Sequence, residues 1–217
     1  RLDEAFTAQK QFSANAAHEL RTPLAVIQTN LEVFARRETP ALKDYQEIFS
    51  MLQEQTGRLS HLAEILLDMT GVQTVERSER ISLAALTDEV FCDLASVAEQ
   101  KEVELIQQEG DCIITGSYLL LYRAVYNLVE NAIKYNHSGG KVTVNIHLSE
   151  EITDTSTSVN YVFLEVSDTG IGIPPEYQEK IFTPFFRVDK SRSRAMGGAG
   201  LGLALVSEIV RQHNGQV

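Results

Sequence analysis

At 217 residues the chain suits one large domain or two small ones, and 43% hydrophobic residues suffice for a core in each. Against 19 Lys and Arg stand 30 Asp and Glu, a net charge of −11 that excludes the basic face a nucleic-acid surface requires. Cys92 and Cys112 lack metal-ligand spacing and read as reduced core thiols. No apolar run approaches the ~20 residues that span a bilayer, and no signal peptide is visible.

The first seventy or so residues read as two long helices. Leu20, Leu24, Ile27, Leu31 and Phe34 recur at steps of four and three, an apolar helical stripe. At 100° per residue, His18 and Thr22 fall opposite that stripe and near one another, on a solvent-facing surface. Pro23 removes a backbone donor inside the helix, so a bend is expected just after the histidine. Arg36 and Arg37 suit the helix C-terminus, and Thr39-Pro40 reads as an N-cap followed by proline at the first helical position. Ile48, Leu52, Gln55, Leu59, Leu62, Leu66 and Met69 form a heptad seam, with Gly71 as C-cap. A two-helix hairpin cannot bury that much apolar edge alone, and pairing two copies into a four-helix bundle would cover it.

Residues 72–80 are polar and read as a linker. Leu83, Leu86, Val90, Leu94 and Val97 mark a helix, with short strands near 103–106 and 112–115. Ser117 to Tyr135 is a second helix. Val142, Val144, Ile146 and Leu148 alternate as a half-buried strand, and Val162, Leu164 and Val166 form another. If the latter runs two residues further, Asp168 shares its inward parity and needs a partner. The stretch from Gly170 to Gly200 has glycines, prolines and charges with weak periodicity, as a mobile lid would. A last helix, near 201–213, carries Leu201, Leu205 and Ile209.

Four segments carry chemistry. The first is His18-Glu19-Leu20-Arg21-Thr22-Pro23-Leu24. Phosphoryl transfer to nitrogen needs an exposed imidazole with a free lone pair, which His18 offers. Glu19 can accept the other ring proton, and Thr22 can position a water. The second is Asn127-Leu128-Val129-Glu130-Asn131-Ala132-Ile133-Lys134-Tyr135, in which Asn127, Asn131 and Lys134 share a helix face. An amide oxygen is a hard neutral ligand suited to Mg²⁺. The third is Asp168-Thr169-Gly170-Ile171-Gly172-Ile173-Pro174. A carboxylate can accept the adenine amino hydrogen, which guanine lacks at that position, and Gly170 and Gly172 permit close approach of a purine. The fourth, Gly198-Ala199-Gly200-Leu201-Gly202-Leu203, opens a helix and suits phosphate held by amide donors and the dipole. No strand leads into it, so it is not a dinucleotide-binding fingerprint. Phe182-Thr183-Pro184-Phe185-Phe186-Arg187 reads equally as a lid segment or as core aromatics. Arg187 is the basic residue most readily placed on a triphosphate, with Arg192 and Arg194 as solvated lid charges. His61, His137, His147 and His213 are read as ordinary histidines.

In this order the segments resemble the H, N, G1 and G2 boxes of the sensor histidine kinases of bacterial two-component systems, over essentially the whole chain. The resemblance implies a helical hairpin for dimerisation and phosphotransfer over 1–71, the linker 72–80, and an ATP-binding α/β sandwich of the gyrase and heat-shock chaperone superfamily over 81–217. It assigns His18 as phosphoacceptor, Glu19 as acid/base and Thr22 as phosphatase helper. It assigns Mg²⁺ to Asn131, phosphate charge to Lys134 and base packing to Tyr135. Asn127, Asp168, Gly170, Gly172, Ile173, Arg187, Gly198, Gly200, Leu201, Gly202 and Leu203 complete the nucleotide set. The expected activity is autophosphorylation of His18 by Mg-ATP and transfer to an aspartate of a response-regulator receiver domain, with dephosphorylation as a reverse activity. A phosphatase-dominated enzyme and a nucleotide-binding scaffold of the same fold are the alternatives. Asn127 stands where ATP-hydrolysing members of the superfamily place a glutamate, which disfavours a hydrolase. The chain opens on Arg1 rather than Met and is read as the cytoplasmic portion of a longer, membrane-anchored protein. This portion itself is expected to make no membrane contact, and further strands are expected beyond Val217.

Overall fold

The computed structural model describes residues 2–71, 75–152, 158–188 and 199–217. The chain divides into two compact units, Arg1–Thr70 with Thr183–Leu201, and Gly71–Phe182 with Gly202–Val217. Among the described residues no helix is long and apolar enough to cross a membrane.

In the first unit, α1 (Leu2–Ala35) and α2 (Leu42–Gly71) form the expected pair of helices. Pro23 lies inside α1 without ending it. With no amide hydrogen, it leaves the Glu19 carbonyl without its usual intrahelical donor. The start of α2 is later than the Thr39-Pro40 signal suggests. The Ala41 amide donates to Asp44 Oδ2 at 2.8 Å, so Asp44 supplies the cap. That amide bond and the Arg37 guanidinium beside it hold the Asp44 carboxyl below its ordinary range. Along the heptad seam of α2, Gln55 and Leu62 are buried and Ile48, Leu52, Leu59, Leu66 and Met69 are half-buried; Ile65, outside the stated seam, is buried as well. The apolar stripe of α1 is less covered, with Leu24 53% and Leu31 43% exposed.

The second unit is a layer of helices on a mixed sheet. Its elements are β1 (Glu79–Ser82), α3 (Leu83–Gln100), β2 (Glu104–Gln107), β3 (Ile113–Gly116), α4 (Tyr118–Lys134), β4 (Lys141–Ile152), β5 (Ser158–Asp168), a 3-10 turn at Pro175–Tyr177, and α5 (Gly202–Gln212). The three-stranded sheet runs β2-β4-β5, with β2 and β4 parallel and β4 and β5 antiparallel. Strands β1 and β3 pair separately. Glu79 and Arg80 already pair with Gly116 and Thr115, so β1 takes the last residues of the stretch expected as linker. Their charge marks a solvated strand here, because both side chains are exposed.

The core forms where the helical stripes meet the inward parity of the strands. Leu86, Val90 and Leu94 of α3, Val129 and Ile133 of α4, and Val142 and Val144 of β4 are fully buried. Each such side chain contributes about 1.5–3 kcal/mol by leaving water. Val97 is a correction: it is 42% exposed, and Ala98 takes the inward position as α3 closes. Leu148 is 56% exposed, because β4 runs on past the core in a ribbon paired with β5 as far as Ile152 and Ser158. Cys92 also departs from the reading as a core thiol, since it is exposed.

Helix caps follow the sequence closely. Ser82 accepts from the Ala85 amide, and Ser117 caps α4. The Ser117 amide in turn donates to His213 Nε2 at 3.1 Å, while His213 Nδ1 lies 2.8 Å from the Ile209 carbonyl. The ring therefore ties the end of α5 to the start of α4 in a neutral tautomer.

Candidate functional site

His18 is exposed on α1 and Thr22 is half-buried one turn on, its hydroxyl donating to the His18 carbonyl at 3.1 Å. The imidazole therefore faces solvent, as a phosphoacceptor requires. Glu19 is half-buried, and its Oε2 accepts from Arg187 Nη2 at 2.9 Å. Charge alone puts Arg187 on the triphosphate. Here its guanidinium engages Glu19, and its side chain is only 7% exposed. Phe185 packs on Phe12 of α1 with ring centroids 5.4 Å apart. Its amide donates to the Gly200 carbonyl at 2.7 Å. Gly200 has φ +72 and no room for a side chain, because a Cβ there would lie 2.6 Å from the Phe186 carbonyl oxygen. Gly198 lies outside the described residues. Leu201 is fully buried, so it serves packing.

In the second unit three segments come together: the C-terminal half of α4, the start of α5 and the turn after β5. Asn127 is 8% exposed and its Nδ2 donates to the Arg123 carbonyl at 2.8 Å. Gly202, at the start of α5, sits directly over it: a Cβ there would come within 2.5 Å of Asn127 Oδ1 and 3.7 Å of Asn131 Nδ2. Glycine keeps the backbone this close to the Asn127 amide, while Asn131 lies at ordinary contact distance. Asn131 and Lys134 are half-buried on the same helix, and Lys134 Nζ lies 5.8 Å from the Tyr135 ring centre. Leu203 is half-buried on α5.

The third segment is the turn after β5. The strand does reach Asp168, which pairs with Val142 and keeps the inward parity of Val162, Leu164 and Val166. The carboxylate is exposed at the strand's end, and its Oδ1 accepts from the Gly170 amide at 2.8 Å. Gly170 packs against the exit of α4, where a Cβ would meet the Tyr135 carbonyl oxygen at 2.4 Å. The Ile171 amide donates to that same oxygen at 3.2 Å. Gly172 has φ +68, and Ile173 is 43% exposed beyond it.

These contacts suit a nucleotide. The Asp168 carboxylate belongs to the turn that meets the exit of α4, where Lys134 lies beside Tyr135, and the Asn127 and Asn131 amides meet the start of α5. Among the described residues no group of three or more His, Cys, Asp or Glu could hold a metal ion, and amide oxygen is a ligand that suits a cation bound with phosphate. Asn131 has the hard neutral oxygen such a site needs, and the glycine beside it leaves space.

Two groups of residues escape sequence reasoning. Lys101 Nζ donates to the Lys134 carbonyl at 2.7 Å and closes the end of α4. Asn136, 8% exposed, and Thr169 are joined side chain to side chain across the turn. A lone lysine, asparagine or threonine has no periodicity to mark it.

Residues 8–74 match the family of His Kinase A (phospho-acceptor) domains, and residues 116–217 match the histidine kinase-, DNA gyrase B-, and HSP90-like ATPases. The sensor histidine kinase RppB of Synechocystis sp. is 34% identical over 99% of this chain and 46% of its own length. CusS of Escherichia coli K12 is 32% identical over 100% of the chain and 44% of its own length. WalK of Bacillus subtilis is 33% identical over 96% and 34%. The chain thus spans less than half the length of these curated relatives. Among solved structures, Acinetobacter baumannii histidine kinase AdeS matches with a TM-score of 0.64 at 23% identity, over 90% of this chain and 86% of that one. Histidine kinase ThkA, crystallised in complex with the response regulator protein TrrA, matches with a TM-score of 0.72 at 21% identity, over 98% and 57%. With both of its regions matched in this order, the chain belongs to the sensor histidine kinases of bacterial two-component systems.

Proposed function

We propose that the second unit binds ATP with Mg²⁺ and that His18 accepts its terminal phosphoryl group. The observation that carries this reading is the convergence at α4. Gly170 meets the Tyr135 carbonyl and Gly202 meets the Asn127 amide, each at a distance that excludes a side chain. Asp168 would accept the adenine amino hydrogen, Tyr135 would pack on the base, and Asn131 would hold the cation. Magnesium, when bound, supplies charge neutralisation on the phosphates. Lys134 adds a positive charge, and the amides of Gly202 and Leu203 at the start of α5 face negative charge favourably. The exposed His18 nitrogen forms the bond to phosphorus as the bond to the nucleoside diphosphate breaks. The ring proton leaves to Glu19 or to water.

The chain would act as a homodimer, its exposed apolar helix faces pairing into a four-helix bundle. It would pass the phosphoryl group to an aspartate of a response regulator, a step that family membership supports. Thr22, one turn from His18, would serve the reverse reaction. Incubation with γ-labelled ATP and magnesium should give an acid-labile, base-stable label that His18→Ala abolishes. Asn131→Ala and Asp168→Ala should each lose the label while the unfolding transition is retained. Labelling that survives either change would refute the nucleotide assignment. Nucleotide binding without any label would favour a scaffold instead.

A further inference from the structure

The turn that carries Asp168 is locked to α4 by a hydrogen-bond relay. Asn136 follows the C-cap of α4 and is buried. Its Nδ2 donates to the Lys141 carbonyl at 3.0 Å, and its Oδ1 accepts from the His137 amide at 3.0 Å and from Thr169 Oγ1 at 3.2 Å. The Thr169 hydroxyl is used in both directions, because it also accepts from the Lys141 amide at 2.9 Å. The Thr169 amide extends the β4–β5 ladder to the Lys141 carbonyl at 3.2 Å. Gly140 makes room for this amide group, since a Cβ there would lie 2.1 Å from Asn136 Oδ1.

A buried amide is costly unless every polar atom is paired, so this one holds a single arrangement. The arrangement matters because Asp168 immediately precedes Thr169. A slip of one residue at the end of β5 would turn the carboxylate to the opposite face of the sheet. Ladder pairing alone ends there. The relay pins the next residue to the helix that carries Asn127 and Asn131.

We infer that Asn136 and Thr169 are positioning residues that hold Asp168 in register with α4 and thereby set the preference of the site for adenine over guanine nucleotides. The inference rests on the nucleotide reading given above. Adenine offers an amino hydrogen to a carboxylate acceptor where guanine presents a carbonyl oxygen. An acceptor displaced from that point loses discrimination, while contacts to the phosphates are unaffected.

Calorimetric titration of the full chain with Mg-ATP and with Mg-GTP tests it. Wild type should prefer ATP, and Asp168→Asn should lose that preference. Thr169→Val, of similar shape but without the hydroxyl, should weaken ATP binding about tenfold and leave GTP unchanged. Thr169→Ser restores the two-way hydroxyl and should bind ATP within about twofold of wild type. Asn136→Asp keeps the acceptor and loses the donor; it carries the same expectation as the valine variant should that variant not fold. An unaltered ATP-to-GTP ratio in folded Thr169→Val or Asn136→Asp, with Asp168→Asn still selective-deficient, would overturn this inference alone. A wild type that binds neither nucleotide, or does not distinguish them, would overturn the nucleotide reading with it.

Discussion

A methyl group added at Gly202 would come within 2.5 Å of Asn127 Oδ1, an atom on a buried residue of a packed helix. Asn127 can yield only by turning its amide away from the Arg123 carbonyl it bonds, and overpacking of this kind costs about 1–3 kcal/mol. Gly202→Ala should therefore weaken ATP binding by about tenfold, measured by calorimetry, since the disturbed amide lies at the proposed phosphate end. Gly172 offers the control for space: nothing lies within 4 Å of its missing side chain, and only its φ of +68 opposes substitution. Arg187 illustrates the limit of reading charge from sequence. Its basicity was legible and its partner was not, because Glu19 lies far away along the chain and no spacing rule joins them.

At the level of elements, α3 and α4 are laced by side chains on their outer faces. The Tyr118 hydroxyl donates to Glu89, and the Tyr122 hydroxyl donates to Asp93. Tyr118, Tyr122 and Tyr126 follow one another along α4, with ring centroids 6.3 and 6.0 Å apart. The bond to Glu89, with lesser burial, pushes the Tyr118 phenol from 10.0 up to about 12. Burial and then Asp93 push Tyr122 up as well. A phenol whose value is raised in the folded state contributes stability that is complete below the unfolded value and fades as pH rises through the folded one. Denaturant unfolding followed from pH 10 to about 12 should show falling stability, and Tyr118→Phe should flatten that fall.

The elements themselves were largely readable. Ser117 and Tyr135 bracket α4 as predicted, because a serine cap and a 3.6-residue apolar period are local signals. Parity tells which face Asp168 shares once β5 reaches it, but not that the strand runs that far. The start of α2 was not: Asp44 captures the Ala41 amide, and that competition between nearby caps is settled by geometry rather than by residue type. The Asn136–Thr169 relay was illegible for a related reason. It joins residues far apart in sequence through single hydrogen bonds, and neither residue sits in a repeating pattern.

At the scale of the whole molecule, apolar surface is left open on the helical hairpin. On α1 Leu24 and Leu31 are exposed, and on α2 Leu42 is 76%, Phe49 64% and Leu67 69% exposed. Such a surface is the mark of an interface between copies. Sedimentation should find a dimer, and Leu24→Glu with Leu31→Glu should shift it to monomer. Affinity for ATP should be unchanged, since those residues belong to the other unit.

Because β2 and β4 lie side by side and point the same way, residues 108–140 form a crossover that must be in place before the two strands can meet. Strands β4 and β5, by contrast, follow closely along the chain. Chain entropy therefore orders the birth of the sheet: the downstream hairpin zips first, and β2 joins last, after α4 has docked. The platform that carries Asp168 would thus exist early, and the pairing that completes the sheet would be the slow step of refolding.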